Sequence, residues 1–246
     1  MLAIIFFSFL LLLGQTGTAA GGTITGRVVF RGELPVLPQI QARKDRGVCG
    51  ETTPFEALIV STANRGVQQA VVFLEGVARV EGHAPPGEAV LENRDCRFVP
   101  HVLAVRVGTE LAVVNVDPVL HNLRAWLPER RHVFNIVQPA QGQVTRRTIK
   151  RPGVMTLTCD AHPHMLGYLL TFEHPYFAVT DSTGAFRIPG VPPGVYRISA
   201  WHEGWTVVRR DPDGRVLYEP PHLLSREVVV PEDGEGQLVF ELASRL

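Results

Sequence analysis

The run Val154-Met-Thr-Leu-Thr158 leads straight into Cys159-Asp-Ala-His162-Pro-His164-Met165. The first five residues read as a short strand. The next seven read as a loop at its end, from which Cys159, His162 and Met165 can converge. A second imidazole, His121 in Pro118-Val-Leu-His121-Asn122, lies upstream and must come from a loop at the same end of a neighbouring strand. A thiolate, two imidazoles and a thioether form a soft, mixed nitrogen–sulfur set. Such a set suits copper, with Cys and two His in a plane and a weak axial Met. Zinc more usually shows four strong ligands, in CxxC pairs or a His-x₃₋₅-His spacing.

The rest of the chain reads as strands too. Alternating or continuous short apolar runs occur at Ile24–Phe30, Ala57–Val60, Ala70–Leu74, Val102–Val107, Leu111–Val116, Tyr168–Phe172, Phe186–Ile188, Val195–Ala200, Glu227–Val230 and Leu238–Leu242. Turn signals separate them: Arg31-Gly32, Pro85-Pro86-Gly87, Pro152-Gly153, Thr183-Gly184, Pro192-Pro193-Gly194, Asp213-Gly214 and Asp233-Gly234. This punctuation predicts an all-β fold of sandwiches or barrels. The 246 residues suffice for one large or two small domains. With 24 basic and 24 acidic side chains the charge balances, so composition offers no argument for nucleic-acid binding. P-loop, dinucleotide, His-Glu-x-x-His and Gly-x-Ser-x-Gly signatures are absent, which favours a binder or carrier over a hydrolase and leaves an oxidoreductase as a weaker option.

Met1–Leu13 is apolar and is followed by small and polar residues, with Thr18-Ala19-Ala20 as a cleavage candidate. Its apolar stretch of about 12 residues is short of the roughly 20 that cross a bilayer, so residues 1–20 read as a signal peptide. The expected location is periplasmic or secreted, where a disulfide can persist.

Residues 91–173 resemble the cupredoxins, the blue copper proteins that include plastocyanin and amicyanin. Phe98-Val-Pro100, Val105-Arg-Val107-Gly108, Leu111–Asn115 with Asp117, and His121-Asn122 follow the order of the cupredoxin amino-terminal half. The Cys-x₂-His-x₂-Met spacing of Cys159, His162 and Met165 is similar to the short ligand loop of amicyanin. The resemblance implies a Greek-key sandwich holding one type 1 copper through His121, Cys159, His162 and Met165. It implies that Asn122 hydrogen-bonds to hold the ligand loops, and that the exposed edge of His162, beside Pro163 and Leu166, passes the electron. His164 departs from the pattern and reads as a bystander; His101 is a weaker ligand candidate. If Cys159 holds metal, Cys49 and Cys96 remain as a pair. Closing that loop would stabilise by about 4 kcal/mol in the chain-entropy model. Three cysteines still allow three single bridges, and one to Cys159 would abolish the copper site.

Residues 174–246 carry another signature. Asp181-Ser-Thr-Gly184, Phe186-Arg-Ile188 and Val191-Pro-Pro-Gly194-Val-Tyr196-Arg-Ile198 resemble the carboxypeptidase regulatory-like domain, a small prealbumin-like (transthyretin-like) sandwich. Ile24–Phe30 and Gly66–Leu74 resemble its opening strands. The expected layout is a sandwich split between 21–90 and 174–246, with the cupredoxin-like domain (91–173) inserted; beads in series are the alternative. The whole resembles exported bacterial proteins described as methylamine utilization or carboxypeptidase regulatory-like proteins. Trp201, His202 and Trp205 offer either a platform for carbohydrate or a cover for the core. Arg130-Arg131 and Arg146-Arg147 offer local patches for a partner or a solvated surface. His83, His101, His132, His174, His202 and His222 show no spacing that builds a second metal centre.

The functional expectation is an exported electron carrier with an unnamed redox partner protein. Its alternatives are a copper-delivery protein and a structural or carbohydrate-binding module with a vestigial site.

Overall fold

Short apolar runs broken by glycine and proline cannot bury a face alone, and here they assemble into paired sheets. The computed structural model describes residues 21–78, 87–232 and 234–244. The expected signal peptide, His83, the Pro85-Pro86 turn and Asp233 lie outside the described residues. Within them the chain is all β. The helical pieces are a single turn at Arg46–Cys49 and a 3₁₀ turn at Pro128–Arg130. No described helix is long and apolar enough to cross a membrane.

One sandwich is built from the middle of the chain. Its five-stranded sheet runs Arg131–Gln138, His121–Leu127, Gly153–Thr158, Leu166–Phe172, Val102–Arg106 in spatial order. Its four-stranded sheet runs Val144–Thr148, Glu110–Asn115, Glu88–Arg94, Arg97–Val99. Each sheet holds one parallel pair, 102–106 with 166–172 and 88–94 with 110–115. Leu91, Phe98, Leu111, Leu123, Met155 and Leu157 fill the space between them and are essentially fully buried. Burying side chains of this size is worth roughly 1.5–3 kcal/mol each.

The second sandwich draws strands from both ends of the described chain. Gly22–Arg31 lies between Ala185–Val191, antiparallel, and Glu235–Ala243, parallel. Facing it, Val71–Leu74 lies between Phe177–Val179 and Gly194–His202, with His222–Val230 outside. Ile24, Val28, Phe30, Leu74, Ile188, Ile198 and Phe240 form its core. The Asp181–Gly184 turn is set by the Asp181 carboxylate, which accepts the Thr183 and Ala185 amides. Gly184 adopts φ 75°, and a Cβ there would lie 2.4 Å from the Val28 carbonyl, so no other residue fits.

Val71, Val102, Tyr168, Leu170 and Trp201 make a third apolar cluster where the sandwiches meet. Beside it, buried His101 hydrogen-bonds to buried Glu203. A cavity of about 40 Å³ adjoins this pair and is lined in part by His164, Met165 and Tyr218.

Several expectations need correction. Ala57–Val60 is not a strand; its one ladder contact is an isolated bridge from Val60 to Val67. Trp201, His202 and Trp205 are each at most 5% exposed, so they cover cores and offer no sugar platform. The strand Glu88–Arg94 starts ahead of residue 91 and belongs to the middle sandwich.

Candidate metal centre

Strand register brings the thiol to the first imidazole. Gly153–Thr158 runs antiparallel to His121–Leu127, with Thr156 opposite Trp126 and Thr158 opposite Arg124. The end of one strand therefore meets the start of the other, and Cys159 arrives beside Asn122, whose backbone N–H points at Sγ from 3.4 Å. The loop then folds back, with the Met165 N–H bonded to the His162 carbonyl at 2.9 Å.

Three potential ligand atoms converge. Cys159 Sγ lies 4.0 Å from His121 Nδ1 and 3.8 Å from His162 Nδ1. All three ligand atoms fall within 4.8 Å of one another, and all three residues have zero exposure. An ion bonded at roughly 2.0–2.3 Å to such atoms separates them by about 3.5–4 Å, so the donor set and its spacing fit a metal. Met165 is buried in the same apolar cluster as Cys159. His164 stands aside: its ring is 5.9 Å from that of His162 and its Nε2 is buried without a partner among the described residues. His101 is committed to Glu203 and does not join the group.

Asn122 ties the loop down. Its Oδ1 accepts the Asp160 amide at 2.8 Å, the Ala161 amide at 3.4 Å and the Cys159 thiol at 3.5 Å. Its Nδ2 donates to Asn135 and Asp160. A guanidinium N–H of Arg215, in the hairpin that pairs Val207–Arg210 with Val216–Tyr218, donates to the Cys159 carbonyl at 3.1 Å.

Each imidazole turns its outer nitrogen to a carboxylate. His121 Nε2 is 2.9 Å from Asp117, and His162 Nε2 is 2.9 Å from Asp45. Asp117 is itself fixed by the Asp95 and Cys96 amides. Cys49 and Cys96 are joined as a disulfide, and Cys159 is the free cysteine. This arrangement corrects the expectation of an exposed His162 edge. The segment carrying Asp45 covers that edge, and it comes from 117 residues upstream, beyond the reach of local sequence. Asp45 itself carried no sequence signal; it lies within a run of basic residues, Arg43-Lys44-Asp45-Arg46.

Burial sets the protonation states. It pushes the Cys159 thiol up, against the opposing effect of the Asn122, His162 and Ala161 amides. It pushes His121 down, more than its hydrogen bond to Asp117 raises it. His164 is lowered to about 4 by burial and by the nearby His162. Without an ion the pocket thus holds a neutral thiol and a neutral imidazole. A cation entering it would displace the thiol proton, which links its affinity to pH.

Among known families, a model described as polysaccharide lyase family 4, domain II, matches residues 170–213. That stretch overlaps the one that resembles the carboxypeptidase regulatory-like domain. No curated protein matches the chain. Among solved structures, a purple cupredoxin from Nitrosopumilus maritimus is 22% identical, over 34% of this chain and 99% of that one, at a TM-score of 0.31. A copper-containing nitrite reductase from Thermus scotoductus SA-01 is 26% identical, over 40% of this chain and only 25% of that one, at 0.31. A reduced amicyanin variant is 17% identical, over 48% and 95%, also at 0.31. At that TM-score none of these likenesses bears on what this chain binds.

Proposed function

We propose that this chain is an exported mononuclear type 1 copper protein that carries single electrons between redox partners. The observation that supports this most is the convergence of Cys159 Sγ with the Nδ1 atoms of His121 and His162 at 4.0 and 3.8 Å in a fully buried pocket. Copper bound there would supply a one-electron Cu(II)/Cu(I) couple.

The chain's own residues account for the rest. Cys159 and the two imidazoles would provide the strong donors, and Met165, buried in the same cluster, would add a weak thioether. Asn122 holds the Cys159 loop to the His121 strand through paired side-chain and backbone bonds. Asp117 and Asp45 fix both rings from outside. Donors held this firmly reorganise little when an electron arrives or leaves, which favours rapid transfer. The second sandwich serves as a scaffold in this reading. The pairing of Gly22–Arg31 with strands near the far end supports a split sandwich carrying the copper domain as an insertion.

The test is visible absorption and electron spin resonance of the purified mature protein after one equivalent of Cu(II), beside Cys159→Ser. An intense blue or green charge-transfer band that vanishes in the variant is expected. Weak binding, equal in both proteins, would sink the type 1 site and favour copper delivery or a structural module.

A further inference from the structure

The two carboxylates behind the imidazoles are not independent. Asp45 stands in the amino-terminal capping position of the Arg46–Cys49 turn, in a left-handed conformation at φ 49°. An aspartate there ordinarily turns its side chain back to cap the amides of the first turn. This one makes no such bond. Its backbone carbonyl takes the Val48 and Cys49 amides instead, and its carboxylate reaches His162 Nε2. A non-glycine residue in this region costs free energy, and such residues gather where function holds them. At the other end of the bridge, Asp95 and Cys96 also have positive φ, and both donate their amides to Asp117, the partner of His121. The Cys49–Cys96 disulfide joins these two turns. Both of its sulfurs lie within 4.8 Å of a His162 nitrogen, and Cys96 is equally close to Asp117 and His121.

We infer that Asp45 is a positioning residue for His162, and that the Cys49–Cys96 bridge clamps it there as part of one frame that also seats Asp117 on His121. This rests on the copper reading for its purpose, while the positioning itself exists without metal. The frame does two things. It fixes His162 with Nδ1 towards Cys159, since the outer nitrogen must carry the proton that Asp45 accepts. It also helps to close the imidazole to solvent, since Asp45 meets its outer nitrogen, both disulfide sulfurs lie beside the ring and the ring has zero exposure. Ala42 anchors that segment in the metal-side core and bonds to the Glu51 carbonyl, while Arg43 reaches the Pro212 carbonyl of the neighbouring hairpin. A carboxylate accepting from a ligand imidazole makes the ring a stronger donor, and losing such a partner typically costs about 10–100-fold in metal affinity.

The first measurement is made on metal-free, disulfide-intact protein. The side-chain N–H of His162 is followed by nitrogen-15 nuclear magnetic resonance, in wild type, Asp45→Ala and Asp45→Asn. Wild type is expected to show a proton on Nε2 that exchanges slowly with water. Asp45→Ala is expected to speed that exchange at least about tenfold, and Asp45→Asn, which keeps an acceptor, to restore much of the protection. Near-ultraviolet circular dichroism checks that each variant remains folded. Equal protection in all three proteins, or a proton on Nδ1, overturns the inference.

On the copper-loaded protein, Asp45→Ala is expected to release the ion to a chelator about 10–100-fold faster. Asp45→Asn should lower the affinity for Cu(II) more than that for Cu(I), because it removes charge and keeps the bond. Unchanged release and an unchanged affinity ratio also overturn it. Cys49→Ser/Cys96→Ser should reproduce the fast His162 exchange of Asp45→Ala. Slow exchange in the folded double variant overturns the clamp, and the Asp45 variants decide the positioning of His162 by themselves. Absence of a copper–thiolate band in wild type would defeat the proposed function and leave the metal-free result standing by itself.

Discussion

His121 and His162 are buried, as are His101, His202 and His222, yet the two groups differ in where their inner nitrogens point. The first pair turns Nδ1 inward to a shared point beside Cys159 and gives each Nε2 to a carboxylate. The second group has no shared point. His101 binds the Glu203 carboxylate, His202 Nδ1 is 2.8 Å from the Glu203 carbonyl, and His222 stacks on Trp205 at 4.1 Å beside Glu219. Burial therefore does not separate the two converging histidines from the others. What distinguishes them is whether the inward nitrogens converge on a common point with a soft donor among them.

The largest expected effect breaks the structural group. Glu203→Ala leaves His101 buried without its partner and should cost about 3–5 kcal/mol in urea denaturation. The copper band should be unaffected; a shifted band would mean that the two groups are coupled. Next is Asn122→Ala, which strips the loop of acceptors for the Asp160 and Ala161 amides. It should weaken copper binding by about 10–100-fold in chelator competition while leaving the His101–Glu203 side untouched.

A pH series sharpens the contrast further. Burial disfavours charged His101, but the Glu203 carboxylate more than offsets this, so its pKa is raised. The folded protein then holds the proton more tightly than the unfolded chain does. That stabilisation is complete below about pH 6.5 and is lost as pH rises through the folded pKa. Stability should fall across that window in wild type and lose this dependence in Glu203→Gln. The smallest effect belongs to His164→Ala. This ring has an unpartnered nitrogen beside the cavity and lies outside the converging group. It should change stability by about 1 kcal/mol or less, since the ring is only half-buried, and leave the copper band in place; a moved band would make His164 a ligand.

Much of this was legible in sequence because it is local. The period-two runs and glycine turns announced strands, and the loop from Cys159 to Met165 placed a thiol, an imidazole and a thioether within seven residues. The strand His121–Leu127 was harder to see. Only Leu123, Ala125 and Leu127 of its inward residues are apolar, and Arg124 and Trp126 on the other face mask the alternation. Asp45 was invisible because its partner is far away in sequence, and so was the pairing of His101 with Glu203, 102 residues apart. The same distance explains the misplaced edge of His162. Nothing near Pro163 or Leu166 announces that a segment from the beginning of the chain will cover it.

The disulfide also has a consequence for how the chain is made. A polypeptide threaded into an oxidising compartment amino-terminus first presents Cys49, then Cys96, and Cys159 last. The native bridge joins the first two thiols to emerge, so pairing in order of arrival is correct pairing. By the time Cys159 emerges, both competitors can already be spent, and Cys159 remains free. Moving a cysteine from before residue 96 to after residue 159 would remove that protection without changing the total.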